Sequence, residues 1–359
     1  MPDTAYVTLA LVPGIGPARL AALCERFGSA ERVLDADLNT LRSVPGMTRA
    51  AATAVAQADR EHAERLLSRV GDLGGVALAP SDATFPPALR AIPDRPTLLF
   101  AAGRFDLLAR PAVAIVGSRD HTRYGAAVCR TFSAGVARAG LVVASGMARG
   151  IDAIAHQAAL DEGGASVGVL GNGLGVIYPS ANRRLYERMA VEGCLVTEFP
   201  PGERPTAGSF PRRNRLISGL ARVTLVVEAG GTSGALITVD CALQQGRDVL
   251  AVPGPITHPA SLGCNRLIQS GATPALAVRD VLERYNLTAS RTDVPAATSL
   301  SAREQQVVAF LGQSERHVDE ITARLETSPG EALAILTALE LRGVILQEPG
   351  KWFRVSGSP

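Results

Sequence analysis

The sequence predicts an α/β protein: a parallel sheet covered by helices on both faces, preceded by a small helical domain and followed by a helix-and-hairpin unit. Three observations carry that expectation. Between Pro111 and Tyr285, short continuous apolar runs alternate with amphipathic stretches of helical period, as strands buried on both faces and joined by crossover helices do. Residues 1–65 hold two similar helix–Pro-Gly–helix segments. After residue 300 come three short helical patterns, then two strand-like runs around Pro349-Gly350.

In chain order, Leu9, Leu11 and Val12 lead into Pro13-Gly14-Ile15-Gly16 and then Leu20 and Leu23. A second copy runs Leu41, Val44, Pro45-Gly46-Met47, Ala50, Ala54, Val55. These are paired helix-hairpin-helix units of the SAM-like kind. Such a hairpin lets backbone N–H groups at a helix start approach a phosphate. The second copy has Thr48 where its second glycine would stand, which puts close approach there in question. A helical domain that only packs against its neighbour fits the same pattern, and fold alone does not choose. Residues 66–110 read as a connector, because Pro80, Pro86, Pro87, Pro93 and Pro96 break any long helix; Leu98-Leu99-Phe100 reads as a short strand.

Residues 111–285 read as a Rossmann-like domain. Its strand candidates are Val113–Val116, Leu141–Ala144, Val167–Leu170, Leu195–Thr197, Thr224–Val227, Val249–Val252 and Pro274–Ala277. Helices are expected at Tyr124–Ala139, Asp152–Asp161, Ala181–Val191 and Ala235–Gln245. Residues 286–300 read as a linker. Residues 301–359 have the order of a winged helix, with helices at Arg303–Leu311, Val318–Leu325 and Pro329–Arg342. The recognition helix expected at Ser328–Arg342 sets Glu331 and Glu340 against Arg342, a poor surface for phosphates, so a protein-contact or accessory role is favoured.

An open α/β sheet binds ligands beyond the carboxyl ends of its strands. Five segments reach that edge, and together they supply the expected single-stranded-DNA site. The first is Gly117-Ser118-Arg119, with backbone, hydroxyl and guanidinium donors suited to a phosphate. The second runs Ser145–Asp152, with Ser145, Gly146 and Arg149 as candidates; the third runs Gly171–Gly175 and ends at Tyr178-Pro179, with Gly171, Asn172 and Gly173 as candidates; the fifth, Glu228–Gly234, holds Thr232 and Ser233. The fourth, Gly202–Arg215, reads as a long basic loop; its candidates are Gly208, Phe210, Arg212, Arg213, Asn214 and Arg215. A basic strip tracks a phosphate chain, and an exposed aromatic offers a base something to stack on. Taken alone, the segment reads better with Phe210 as a core plug and the arginines solvating a loop; beside Gly117-Ser118-Arg119 on the same sheet edge, the binding reading wins. The third loop is not GxGxxG and follows the wrong strand for a dinucleotide fingerprint. A Walker loop is excluded because Lys351 is the sole lysine.

Composition narrows the class further. With 47% hydrophobic and 19% charged residues the chain reads as globular, not disordered. There is no apolar run long enough to span a membrane and no signal-like start at Met1-Pro2-Asp3-Thr4, so no membrane insertion and a cytoplasmic location are expected. Five scattered cysteines without a CxxC pair, and five scattered histidines, argue for no metal, no disulfide framework and no cofactor. Asp152 and His156, four apart, read as a helix-face contact. A net charge of +2 by itself does not mark a nucleic-acid binder.

Val116-Gly117-Ser118-Arg119 with Tyr124-Gly125, Ser145-Gly146 with Gly150-Ile151-Asp152 and Ala155-His156, then Tyr178-Pro179 and Glu198, form an ordered series. It continues through Phe210-Pro211, Arg213-Asn214-Arg215, Glu228-Ala229, Ser233-Gly234-Ala235-Leu236-Ile237-Thr238, Val252-Pro253-Gly254, Asn265 with Leu267-Ile268, and Gly271-Ala272. Over the whole central domain this resembles the DprA/Smf DNA-processing family. The resemblance implies sequence-independent binding and protection of single-stranded DNA, a homodimer formed through the Rossmann-like domain, and loading of RecA during natural transformation, without enzymatic activity. The competing expectation is a nucleotide-binding or nucleotide-phosphoribohydrolase enzyme with Glu198 or Glu228 as acid or base. Bracing an arginine or a helix start is the favoured reading of both carboxylates, and no glutamate follows Gly230-Gly231-Thr232-Ser233-Gly234 closely.

Overall fold

A computed structural model describes residues 2–287, 300–312, 314–325, 327–341, 344–348 and 350–355. It divides into two compact units, Met1–Ala289 and Ser290–Pro359. Most of the expected linker, together with Arg342 and Pro349, lies outside the described residues.

The first unit is built on a nine-stranded sheet. Its strands are β1 Gly75–Leu78, β2 Leu99–Gly103, β3 Ala112–Val116, β4 Val142–Ser145, β5 Ser166–Val169, β6 Cys194–Thr197, β7 Val223–Val226, β8 Asp248–Ala251 and β9 Thr273–Pro274. Their order is β1-β2-β6-β5-β4-β3-β7-β8-β9. From β6 to β9 all pairs are parallel; β2 joins β6, and β1 joins β2, antiparallel. The stretch read as a connector therefore supplies two strands. The apolar run at Leu98–Phe100 signals β2, but nothing local signals that its partner is β6, almost a hundred residues on. The last strand is shorter than the run Pro274–Ala277 suggests.

Side-chain alternation along β3 shows why the sheet needs cover on both faces. Ala112, Ala114 and Val116 belong to one core with Leu216, Ile217, Leu220 and Val239, from helices Ser209–Leu220 and Ala235–Gln244. Val113 and Ile115 belong to the other, with Phe132, Val136, Ile151 and Ala155, from helices Arg123–Arg138 and Ile151–Asp161. From β3 the chain winds outward to β6, then returns to β7 on the other side of β3. This reversal of strand order places the ligand crevice at the ends of β3 and β7.

Six helices precede β1. Five of them enclose Leu9, Leu20, Leu23, Val33 and Leu41, and the sixth, Arg60–Asp72, packs Leu66 and Val70 beside Val7, Ala77 and Phe100. The helical domain is thus seated on the antiparallel end of the sheet. In the second unit, helices Ala302–Leu311, Val318–Leu325 and Pro329–Leu341 pack Val307, Leu311, Ile321, Leu336 and Leu339 against Ile345 and Phe353 of a small sheet. That sheet runs β10 Arg316–His317, β12 Trp352–Val355, β11 Ile345–Glu348, a winged helix with one more short strand than the sequence suggests.

Candidate nucleic-acid interface

The ends of β3 and β7 open into a cleft of about 650 Å³ lined by Gly117, Ser118, Arg119, Phe210, Asn214, Thr232 and Ser233, among others. A second hollow of about 290 Å³, lined by Arg149, Gly171, Tyr178 and Pro179, adjoins it, and Arg119, Phe210 and Arg213 border both. The predicted loops therefore do converge on one edge, but they contribute in different ways.

Ser118 N–H donates to the Glu228 carbonyl at 2.7 Å, and Ile151 N–H donates to the Ser118 carbonyl at 3.1 Å. Gly117 is held closely, since a Cβ there would lie 2.8 Å from Ile151 Cγ1 and 2.9 Å from the Glu228 oxygen. The Ser118 hydroxyl turns back on the chain, donating to the Asp120 carbonyl at 3.0 Å and accepting from Asp120 N–H at 3.1 Å. Arg119 at the tip is exposed, as is Arg149. Gly150 between the two loops has φ +80°, a conformation that suits glycine.

Phe210 is half-buried and lines the smaller hollow together with both arginines. Its ring comes close to bare backbone at Gly171, where a Cβ would lie within 2.8 Å of Phe210 Cδ1. Tyr178, 47% exposed, stands beside it with ring centroids 5.5 Å apart and a 35° tilt. The Arg119 guanidinium carbon lies 5.7 Å from the Phe210 centroid. Half-exposed, Phe210 is not enclosed in the core, and aromatic and guanidinium groups favour contacts of this kind. Tyr178 was not among the predicted site residues, although an aromatic before proline at the end of a glycine-rich loop was a usable signal.

The segment read as a fourth loop is a helix from Ser209 onward, with Gly208 as its N-cap. Pro211 falls in the first turn, where its missing N–H costs nothing. Helical winding turns its arginines in different directions. Arg212 is exposed. Arg213 points inward, 4% exposed, donating to the Gly146 carbonyl and more closely to that of Val169. Asp152 lies beside it, also accepting from Ala148 N–H at 3.3 Å, and a Cβ at Gly146 would meet both side chains. Burial pushes the Arg213 guanidinium down to about 10 and the Asp152 carboxyl up, and each one's charge opposes the other's shift. Arg215 meets both oxygens of Glu198 at 2.6 Å and Asp94 at 3.3 Å. Burial raises Glu198, and Arg215 and Arg212 pull it back. Arg213 and Arg215 thus serve internal bonds, not a phosphate chain.

Other predicted site residues are also inward. Ser145 donates to the Ile115 carbonyl at 2.6 Å. Asn172, 2% exposed, donates to the carbonyls of Gly173 at 3.1 Å and Val176 at 2.8 Å. Gly173 is pressed against Pro200 and Glu203. They shape the loops and offer the cleft little. Asn214 is buried but lines the cleft, while Thr232 is exposed and Ser233 partly so. Asp152 and His156 do share a helix, but His156 Nδ1 turns to Ser166 Oγ at 2.7 Å. Glu228 accepts from Thr122 N–H at 3.0 Å and from its hydroxyl at 2.5 Å, bracing the start of helix Arg123–Arg138. Glu198 and Glu228 are therefore both structural braces.

Comparison with known proteins bears on the same elements. The family model for DNA recombination-mediator protein A matches residues 77–286, that for the DprA winged helix domain residues 291–351, and that for a SAM-like helix-hairpin-helix tandem residues 7–61. Protein Smf of Escherichia coli is 41% identical over 77% of this chain and 77% of its own length. The X-ray structure of DNA processing protein A (DprA) from Streptococcus pneumoniae superposes with a TM-score of 0.69 and 36% identity, covering 79% of this chain and 98% of that one. A structure of DNA processing protein A from Helicobacter pylori, described for that protein's single-stranded DNA binding mode, gives 0.54 and 28% over 59% of this chain and 95% of that one. Identity at this level across most of both chains, together with the match of the family model over the sheet domain, establishes that the chain belongs to the DNA recombination-mediator protein A (DprA/Smf) family.

Proposed function

We propose that this protein binds single-stranded DNA without regard to sequence in the cleft at the ends of β3 and β7, protects it and hands it to RecA, acting as a homodimer in the cytoplasm and not as an enzyme. One observation carries the reading: Phe210, open at the cleft mouth between Tyr178 and the exposed Arg119. Stacking and guanidinium contacts recognise features that every nucleotide shares and read no base edge. Arg119, Arg149 and the small donors Asn214, Thr232 and Ser233 hold the backbone, while Gly171 and Arg213 support the platform. The two strand-end carboxylates are occupied by Arg215 and Thr122, which speaks against their acting as acid or base. Among the described residues no helix is long and apolar enough to cross a membrane.

The test is a salt titration of two variants on single-stranded and duplex DNA of equal length. Arg119→Ala is expected to weaken binding by about 1.5–3 kcal/mol and to lower the slope of log affinity against log salt by about 0.7. Phe210→Ala is expected to weaken it by about 1–3 kcal/mol with the slope nearly unchanged, because stacking releases no counterions. A folded Phe210→Ala protein with wild-type affinity removes the platform from the site.

A further inference from the structure

We propose that the groove between the first hairpin of the helical domain and the sheet domain continues the path of the single strand beyond the cleft. This rests on the cleft reading above. The groove encloses about 890 Å³ within the first compact unit. One wall is Pro13-Gly14-Ile15-Gly16; the other carries Arg90, Arg95, Arg212 and Arg215 with Asp94 and Glu198. Four guanidiniums face two carboxylates: Arg215 is held by Asp94 at 3.3 Å and Glu198 at 2.6 Å, and Arg90 donates to the carbonyls of Pro80 and Asp82, which leaves Arg95 and Arg212 to face the groove. The excess charge suits a polyanion.

Continuity with the cleft comes from a single helix. Phe210 and Asn214 line the cleft, whereas Arg212 and Arg215, three residues apart and so on one face, line the groove. The exposed Pro211 lies between them. A strand stacked on Phe210 crosses that first helical turn and meets Arg212, which is 59% exposed and held only loosely by Glu198 at 3.9 Å.

Gly16 provides an independent observation. Five of the six helices before β1 start with Asp3, Ser29, Asp37, Thr48 or Asp59, each accepting a backbone N–H of its own helix. Helix Pro17–Phe27 starts with Gly16, which gives no such bond, so its first N–H groups are uncapped at the groove wall. The backbone at Gly16 is extended, with φ −90°, and no atom lies within 4 Å of where its Cβ would stand. Neither conformation nor packing within the protein demands glycine there. Close approach of a phosphate does. Gly14, by contrast, has φ +84° and is set by the turn. In the second hairpin Thr48 occupies the corresponding place and caps Ala51 N–H at 3.1 Å, so that hairpin is closed to the same use.

The experiment compares full-length wild type, Gly16→Asp and Arg95→Gln on oligo-dT of about 6 and about 20 nucleotides, lengths chosen to fill the cleft alone or to run past it. Aspartate is a preferred N-cap, so Gly16→Asp keeps or raises the melting temperature while setting a carboxylate in the groove. The expected result is unchanged binding of the short oligomer and about tenfold weaker binding of the long one, with its salt slope reduced by about 0.7 for each phosphate the groove no longer holds. Arg95→Gln, which keeps most of the side-chain stem, shifts the long oligomer in the same direction and guards against misfolding of the first variant. If wild type binds the short oligomer but neither variant affects the long one, the groove is not part of the path while the cleft stands. If wild type does not bind the short oligomer, the cleft reading fails and the groove falls with it.

Discussion

Arg213 and His156 are both fully enclosed polar groups, and each has a testable consequence for stability. Arg213 joins the carbonyls of Gly146 and Val169, the ends of two neighbouring loops, to the helix that carries Phe210. Removing it leaves those buried carbonyls unsatisfied, at a cost of about 1–3 kcal/mol each, and takes away the positive charge that opposes the upward shift of Asp152. Arg213→Ala is therefore expected to lower thermal stability sharply. A stable Arg213→Ala protein that had lost only DNA affinity, with a reduced salt slope, would return Arg213 to the phosphate track. His156 has a pH consequence. Burial, reinforced by Arg213, pushes its imidazole down to about 3. The unfolded chain takes up that proton near the ordinary value of 6.5 while the folded chain refuses it, so this residue's contribution to stability is lost as pH falls through 6.5. The raised carboxyl of Asp152 works in the opposite direction. Comparing wild type with His156→Asn isolates the histidine: between pH 7 and 5 the variant is expected to lose less stability in urea unfolding. Parallel curves for the two proteins would mean that His156 is protonated in the fold.

At the scale of elements, helix Ser209–Leu220 decides which arginines are available. Its sequence, with Pro205, Gly208 and Pro211 in quick succession, carries the punctuation of a loop. Proline in a first turn is nevertheless compatible with a helix, and Leu216, Ile217 and Leu220 anchor the rest of it on the sheet. Once the segment is helical, Arg212, Arg213 and Arg215 cannot all face one ligand. The seat of Phe210 likewise depends on an element meeting a loop, because the ring comes this close only where Gly171 has no side chain. Gly171→Ala is expected to push the ring off the backbone and weaken single-strand binding by less than Phe210→Ala does, with little change in melting temperature. Wild-type affinity in this variant would mean that the ring's seat on Gly171 is immaterial.

Across the whole molecule, the sheet has unequal margins. At one end β1 and β2 cover β6 and carry the helical domain. At the other, β9 is two residues long, and Ile256, Leu262 and Leu276 near it are 91%, 40% and 73% exposed. Exposed apolar side chains around a short edge strand suit a second copy of the chain. Sedimentation is expected to show a dimer for wild type and a monomer for the double variant Ile256→Glu, Leu276→Glu; a variant that stays dimeric places the interface elsewhere. By itself the sequence determined the parallel core and its ligand edge, since an unbroken apolar run such as Ala112–Val116 needs cover on both faces and glycine-rich loops mark where its strands end. It also pointed to Arg119 and Phe210, which the structure brings to one cleft, and to the two carboxylates as braces. Only the tertiary structure decided that β2 pairs with β6, that Tyr178 stands beside Phe210, and that Arg213 and Arg215 turn inward. Periodicity along a chain reports which face of an element is buried; which distant element covers that face, and so which polar side chains are consumed in joining the two, is settled by packing between residues far apart in sequence.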